Sequence, residues 1–161
     1  RNGWADLQIQ QRARQEMVSG LDGMLKSRLR LWVKVYRAYP ENILIYRDEV
    51  SEGQYRVVPE DELPLLREAC QELYPANETK RGFPRLSIII VGKRHNTRFY
   101  PTKTEDANRS SNSQNGTVVD RGVTEAHNWD FFLQAHTALQ GTARPAHYYV
   151  VYDEIFRMRK V

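Results

Sequence analysis

The sequence predicts an α/β fold: a mixed, mostly parallel sheet flanked by helices. Three observations carry that prediction. Ile43-Leu44-Ile45-Tyr46 and Leu86-Ser87-Ile88-Ile89-Ile90-Val91 are short, nearly continuous apolar runs, the pattern of buried strands. Between them Leu63, Leu66, Cys70 and Leu73 recur at helical spacing. Strand, helix, strand over this distance implies a right-handed parallel crossover.

Taken in order, Leu7-Gln8-Ile9-Gln10 alternates apolar and polar residues and is expected to be a strand. A long helix is expected over 12–39, with Met17, Leu21, Leu25, Leu29, Trp32 and Tyr36 on one face and Pro40 ending it. The apolar strand 43–46 follows. A second helix is expected over 59–74. Glu60, Asp61 and Glu62 occupy its first turn, where the helix dipole favours acids. Pro64 is tolerated only if it also lies in that turn, and Pro75 closes the helix. After the strand 86–91 comes a serine- and asparagine-rich stretch, 103–115, expected to wander in solution. A short strand is expected over 116–120, a short helix over 129–135, and a last strand over 148–152 after Pro145. There are no internal repeats.

A length of 161 residues fits one domain with a real core. The 24 basic and 20 acidic residues leave a net charge of +4, a mild bias toward an anionic partner. The single cysteine, Cys70, excludes a disulfide or a cysteine metal site within the chain and reads as a buried structural thiol. No apolar run approaches the roughly 18 residues that cross a bilayer, and no signal peptide is visible. These features suggest an intracellular, reducing compartment and no membrane partner.

Two groups of polar residues stand at strand ends. Asp48 follows the apolar run 43–46 and precedes the polar turn Ser51-Glu52-Gly53-Gln54. It reads either as a carboxylate capping that turn or as a metal ligand, because open α/β sheets bind ligands at the carboxyl ends of their strands. Lys93-Arg94-His95-Asn96-Thr97-Arg98 follows the strand ending at Val91. Such a cluster is either a solvated surface or a phosphate-binding one. If its strand runs parallel to the strand of Asp48, both face one rim. Lys and Arg on phosphates supply affinity without reading sequence. Glu16, in Arg14-Gln15-Glu16 near the start of the long helix, reads by itself as a solvated first-turn acid.

Four segments in matching order resemble the PIWI domain of Argonaute proteins. They are Arg14-Gln15-Glu16, Ile43 to Gln54, Lys93 to Arg98, and His136-Thr137-Ala138-Leu139-Gln140-Gly141-Thr142-Ala143-Arg144-Pro145. The resemblance implies an RNase H-like fold. It also implies small-RNA-guided binding and cleavage of target RNA by a tetrad of Asp, Glu, Asp and His with two divalent ions, Mg2+ or Mn2+. Glu16 and Asp48, 32 residues apart, match the tetrad Glu and its second Asp. Asp48 would touch the metals and Glu16 would complete the site. Lys93, Arg94, Thr97, Arg98, His136 and Arg144 match positions that grip the guide RNA backbone. This chain departs from the family pattern at Glu49, Gly92 and Asn96, where the family has Gly, Gln and His.

The other tetrad members are expected outside the chain, before Arg1 and after Val161. The chain is therefore expected to be a partial PIWI domain lacking its N-terminal strands and C-terminal helices, inactive by itself, from a metal-dependent endoribonuclease. His147 is not the tetrad His and reads as a packed, hydrogen-bonded residue. The implied partners are guide RNA, complementary target RNA, the MID domain of the same protein and silencing partners. The implied location is the cytoplasm, with the nucleus as a second site. The alternative is a guide-carrying silencing protein that does not cut.

Overall fold

A computed structural model of the chain describes residues 20–48, 50–75, 83–126, 128–138 and 140–157. The expected strand at 7–10 and the first part of the long helix lie outside them. The chain divides into two compact units, Arg1–Leu44 with Glu52–Leu86, and Ile45–Ser51 with Ser87–Val161.

Among its described residues the first unit contains two α-helices. Helix α1 spans Leu21–Tyr36 and ends where Arg37 adopts a left-handed conformation (φ 59°), its N–H donating to the Val33 carbonyl. That stop falls on the last residue of the apolar pattern, Tyr36, and ahead of Pro40, which was expected to end the helix. Helix α2, Leu63–Leu73, is preceded by a π-turn over Val58–Glu62. Pro64 lacks an N–H and sits in the first turn of α2, as its chemistry requires. Leu29, Cys70 and Tyr74 form a buried cluster, with Leu25, Tyr39, Ile43 and Leu73 packed on it. The Tyr74 hydroxyl donates to the Pro40 carbonyl at 3.0 Å, and Lys26 bridges Asp22 and Glu72 at 3.3 and 2.7 Å. The expected apolar face of α1 fails at its C-terminal end: Trp32 and Tyr36 are exposed and pack on each other with tilted rings.

The strands are β1 (Asn42–Asp48), β2 (Arg85–Gly92), β3 (Val118–Val119), β4 (Trp129–Leu133) and β5 (Ala146–Asp153). They form one sheet in the order β1-β2-β5-β4-β3. The expected mixed α/β sheet is present, but its balance differs from expectation. Only β1 and β2 are parallel, whereas β2–β5, β5–β4 and β4–β3 are antiparallel. The one crossover that pattern could reveal is the one parallel pair. Strand β2 is the buried centre, with Leu86, Ile88 and Ile90 almost wholly enclosed. Strand β1 alternates, and Leu44 and Tyr46 are exposed.

Two further expectations are corrected. Residues 129–133 are strand, not helix. Trp129-Asp130-Phe131-Phe132-Leu133 is too short for a stable helix and rich in aromatic residues that suit a pleated surface. The 103–115 stretch is ordered by its own asparagines. Asn108 Oδ1 accepts from the N–H groups of Ser110 and Asn112 at 2.9 and 3.1 Å, and Asn112 and Ser113 are buried. Low hydrophobicity suggested a mobile loop, but Asx hydrogen bonding folds it locally.

Burial raises the Cys70 thiol to about 11, so almost none of it is thiolate near neutrality. In the folded protein at pH 8, Cys70 should resist iodoacetamide and react only on unfolding. Peptide mass spectrometry checks this; labelling at the rate of a free thiol would contradict the burial.

Candidate nucleic-acid interface

The pairings bring five strand ends to one rim of the sheet. Asp48 closes β1, and its parallel neighbour β2 ends in Gly92 beside it in the sheet order. The antiparallel partner β5 begins there, because Gly92 pairs with His147. Leu133, ending β4, pairs with Ala146, and Val118, beginning β3, pairs with Leu133. The loops 93–100 and 134–145 therefore leave from the same edge. The two expected phosphate-binding motifs, far apart in sequence, meet at this edge.

Within the first loop the residues divide by direction. Lys93 and Arg94 are exposed. Thr97 is half-buried. The Arg98 guanidinium turns back on its own loop, with Nη1 donating to the carbonyls of Thr97 and His95 at 2.7 and 3.3 Å. His95 points inward. Its Nε2 meets the Pro145 carbonyl at 3.0 Å, its ring lies edge-on to Phe132, and its buried Nδ1 has no hydrogen-bond partner among the described residues. With a carbonyl as partner, Nε2 carries a proton. Burial lowers the His95 pKa below 6.5; the Pro145 bond opposes the shift, and His147, Arg98 and Arg144 reinforce it.

The second loop is held from several sides. The buried Gln134 donates from Nε2 to the His136 carbonyl at 2.6 Å, while its main chain bonds Thr117 and Gly116. Thr137 Oγ1 donates to Asn115 Oδ1 at 3.1 Å. Gly141 takes a positive φ of 75°, which a side chain would strain. The side chains of His136 and Arg144 are exposed, whereas Ala143 and Pro145 on either side of Arg144 are buried. Beneath the rim the Asp130 carboxylate, nearly inaccessible, meets His147 Nε2 at 2.8 Å and also accepts the Glu125 N–H at 3.0 Å. His147 stacks on Phe132 with ring centres 4.3 Å apart. The packed, hydrogen-bonded reading of His147 is the observed one.

Asp48 is exposed at its strand end, and Arg47 Nη1 donates to its carbonyl at 3.2 Å. Glu16 lies outside the described residues. A carboxylate is the hard oxygen donor that Mg2+ takes, so Asp48 fits such an ion in kind. Among the described residues, no three His, Cys, Asp or Glu side chains gather to hold a metal.

Sequence reading missed the supports: His95, Asn112, Asp130 and Gln134. Only the asparagine pair 108 and 112 carried a local signal, an Asx turn, and it was outweighed by low hydrophobicity.

A parallel pair extended by an antiparallel meander, with helices in the chain, is the RNase H-like class of α/β fold. The chain belongs to the Piwi domain family, whose model matches residues 3–159. It is 35% identical over 147 residues to argonaute 18 of rice (Oryza sativa subsp. japonica), covering 89% of this chain and 13% of that protein. Its fold is similar to the C-terminal lobe of a budding yeast Argonaute, with TM-score 0.81 and 30% identity over 90% of this chain and 30% of that one. It is also similar to the Kluyveromyces polysporus Argonaute solved with a guide RNA, with TM-score 0.79 and 29% identity over 93% of this chain and 19% of that one. The chain therefore spans a small part of the length of these relatives.

Because the His95 pKa is depressed on folding, the unfolded state binds the extra proton first. The stability contributed by neutral His95 is complete above 6.5 and is lost as pH falls through the lowered folded value. Unfolding midpoints should drop below about pH 6.5, and His95→Gln, which keeps a donor for Pro145, should flatten that drop. Identical pH profiles in both proteins would remove His95 from the acid limb.

Proposed function

We propose that this chain forms part of the guide-RNA groove and the slicing centre of an Argonaute. The observation that carries the reading is the single rim shared by Asp48, Lys93, Arg94 and Arg144. A small RNA would lie along it, its phosphates met by the exposed side chains of Lys93, Arg94, His136 and Arg144. Thr97 and Arg98 would contribute mainly through the loop they shape, since Arg98 is engaged with loop carbonyls. Base pairing to a target RNA would supply the specificity that backbone contacts lack. The Argonaute from Kluyveromyces polysporus was solved with a guide RNA, and its likeness to this chain supports the same partner.

Asp48 would hold Mg2+ or Mn2+, with Glu16 completing the site and the remaining tetrad residues supplied from outside this chain. Bound ions of this type activate water and neutralise charge on a phosphodiester. The role of Asp48 is then to fix the ion at the rim where the guide lies. The MID domain of the same protein and silencing proteins are the further partners of this reading, and the cytoplasm its setting.

Two measurements on the intact protein test the proposal. Asp48→Ala should abolish guided RNA cleavage while leaving guide affinity within about twofold, since one exposed carboxylate adds little to phosphate binding. Retained cleavage would remove Asp48 from catalysis, and a wild type that binds guide but never cuts would leave the guide-carrying role alone. The paired change Lys93→Ala and Arg94→Ala should weaken guide binding and lower the slope of log affinity against log salt by about 1.4, two single-strand phosphate contacts. An unchanged slope would take these residues out of the groove.

A further inference from the structure

We propose that Asn112 is a positioning residue for Arg144, latching the 141–144 loop so that the guanidinium is presented to the RNA backbone. The inference rests on the reading of this rim as a guide-RNA site. Asn112 is remote from Arg144 in sequence, and its amide is 3% exposed. Its Nδ2 donates to the Gly141 carbonyl at 3.0 Å and to the Ser110 carbonyl at 3.2 Å. Its Oδ1 accepts the Ala143 N–H at 2.8 Å. One side chain thus holds the loop at both ends of the Gly141-Thr142-Ala143 step, immediately before Arg144.

The latch is itself fixed. The Asn112 main chain exchanges hydrogen bonds with Asn108: its N–H donates to Asn108 Oδ1 at 3.1 Å, and its carbonyl accepts the Asn108 N–H at 2.8 Å. On the far side of Arg144, the Pro145 carbonyl is bound by His95 at 3.0 Å. Arg144 therefore sits between two anchored residues, its backbone held and its side chain exposed. Holding an exposed cation by its backbone cuts the ordering cost of binding. An amide suits the task because it donates and accepts at once. Aspartate could keep the bond from Ala143 but would set negative oxygens against two carbonyls. Alanine would leave the buried Ala143 N–H without a partner.

The test uses the intact protein and a labelled short single-stranded RNA, with affinity measured across a salt series. Asn112→Ala and Asn112→Asp should each weaken binding by about tenfold, as Arg144→Ala should. The salt slope should fall by about 0.7, one phosphate contact. The Asn112→Ala, Arg144→Ala double variant should bind no worse than Arg144→Ala alone. The paired change at Lys93 and Arg94, made in the Asn112→Ala background, should retain its full effect, which a misfolded rim would not allow. Multiplicative losses in the double variant would overturn the latch. So would wild-type binding by Asn112→Ala while the Lys93, Arg94 change remains damaging. If the Lys93, Arg94 change is also silent, the guide-RNA reading of the rim falls and the latch falls with it.

Discussion

The pairing of β2 with β5 is the constraint on which the rest depends. It joins the strand that ends in the basic loop to the strand that begins after the Arg144 loop, through the register Gly92 to His147. Shifting that register by one residue would turn His147 from the buried face to the other. Its hydrogen bond to Asp130, its stacking on Phe132 and the His95 bond to Pro145 would then be lost together. The register is set by burial as much as by hydrogen bonds. Ile88 and Ile90 on β2 and Tyr149 on β5 are all nearly enclosed, and half-burial of a strand specifies its face strongly.

Polar groups beneath the rim follow the same economy. Asn112, Gln134 and Asp130 are each nearly buried, and each is met by main-chain or imidazole partners. A buried amide or carboxylate without such partners would oppose folding. Two of the partners of Asn112 lie on the 141–144 loop, so satisfying it joins two loops. The asparagine-rich stretch thereby becomes a brace for the loop that carries Arg144, although it contributes little apolar surface.

The sequence was most legible where burial imposes a simple period. Strand β2 and helix α2 follow from apolar spacing, and the parallel pair β1–β2 follows from strand, helix, strand. The antiparallel meander was harder, because β4 and β3 are short and an aromatic run of five residues has no period to read. The charged residues proposed for the site, Asp48, Lys93, Arg94 and Arg144, were visible as strand-end and motif residues. Their supports were not, since a hydrogen bond between Asn112 and Ala143 leaves no local mark in the chain. That Arg98 folds back on its own loop was equally invisible: an arginine that binds phosphate and one that ties off carbonyls are the same letter.

The split between exposed charge and buried neutrality has an electrostatic reason. A buried cation near the rim would need a buried counter-ion, and the pair's desolvation would offset its attraction. Here the side chains of Lys93, Arg94 and Arg144 are exposed, and in the proposed reading phosphate contacts there would release counter-ions. Beneath them burial disfavours the charged form of His95, and Arg98 and Arg144 add to that effect. Its Nε2 is directed at the Pro145 carbonyl. The same arginine whose loop His95 helps to hold thus adds to the burial that disfavours a charge on His95, while the Pro145 bond opposes that shift.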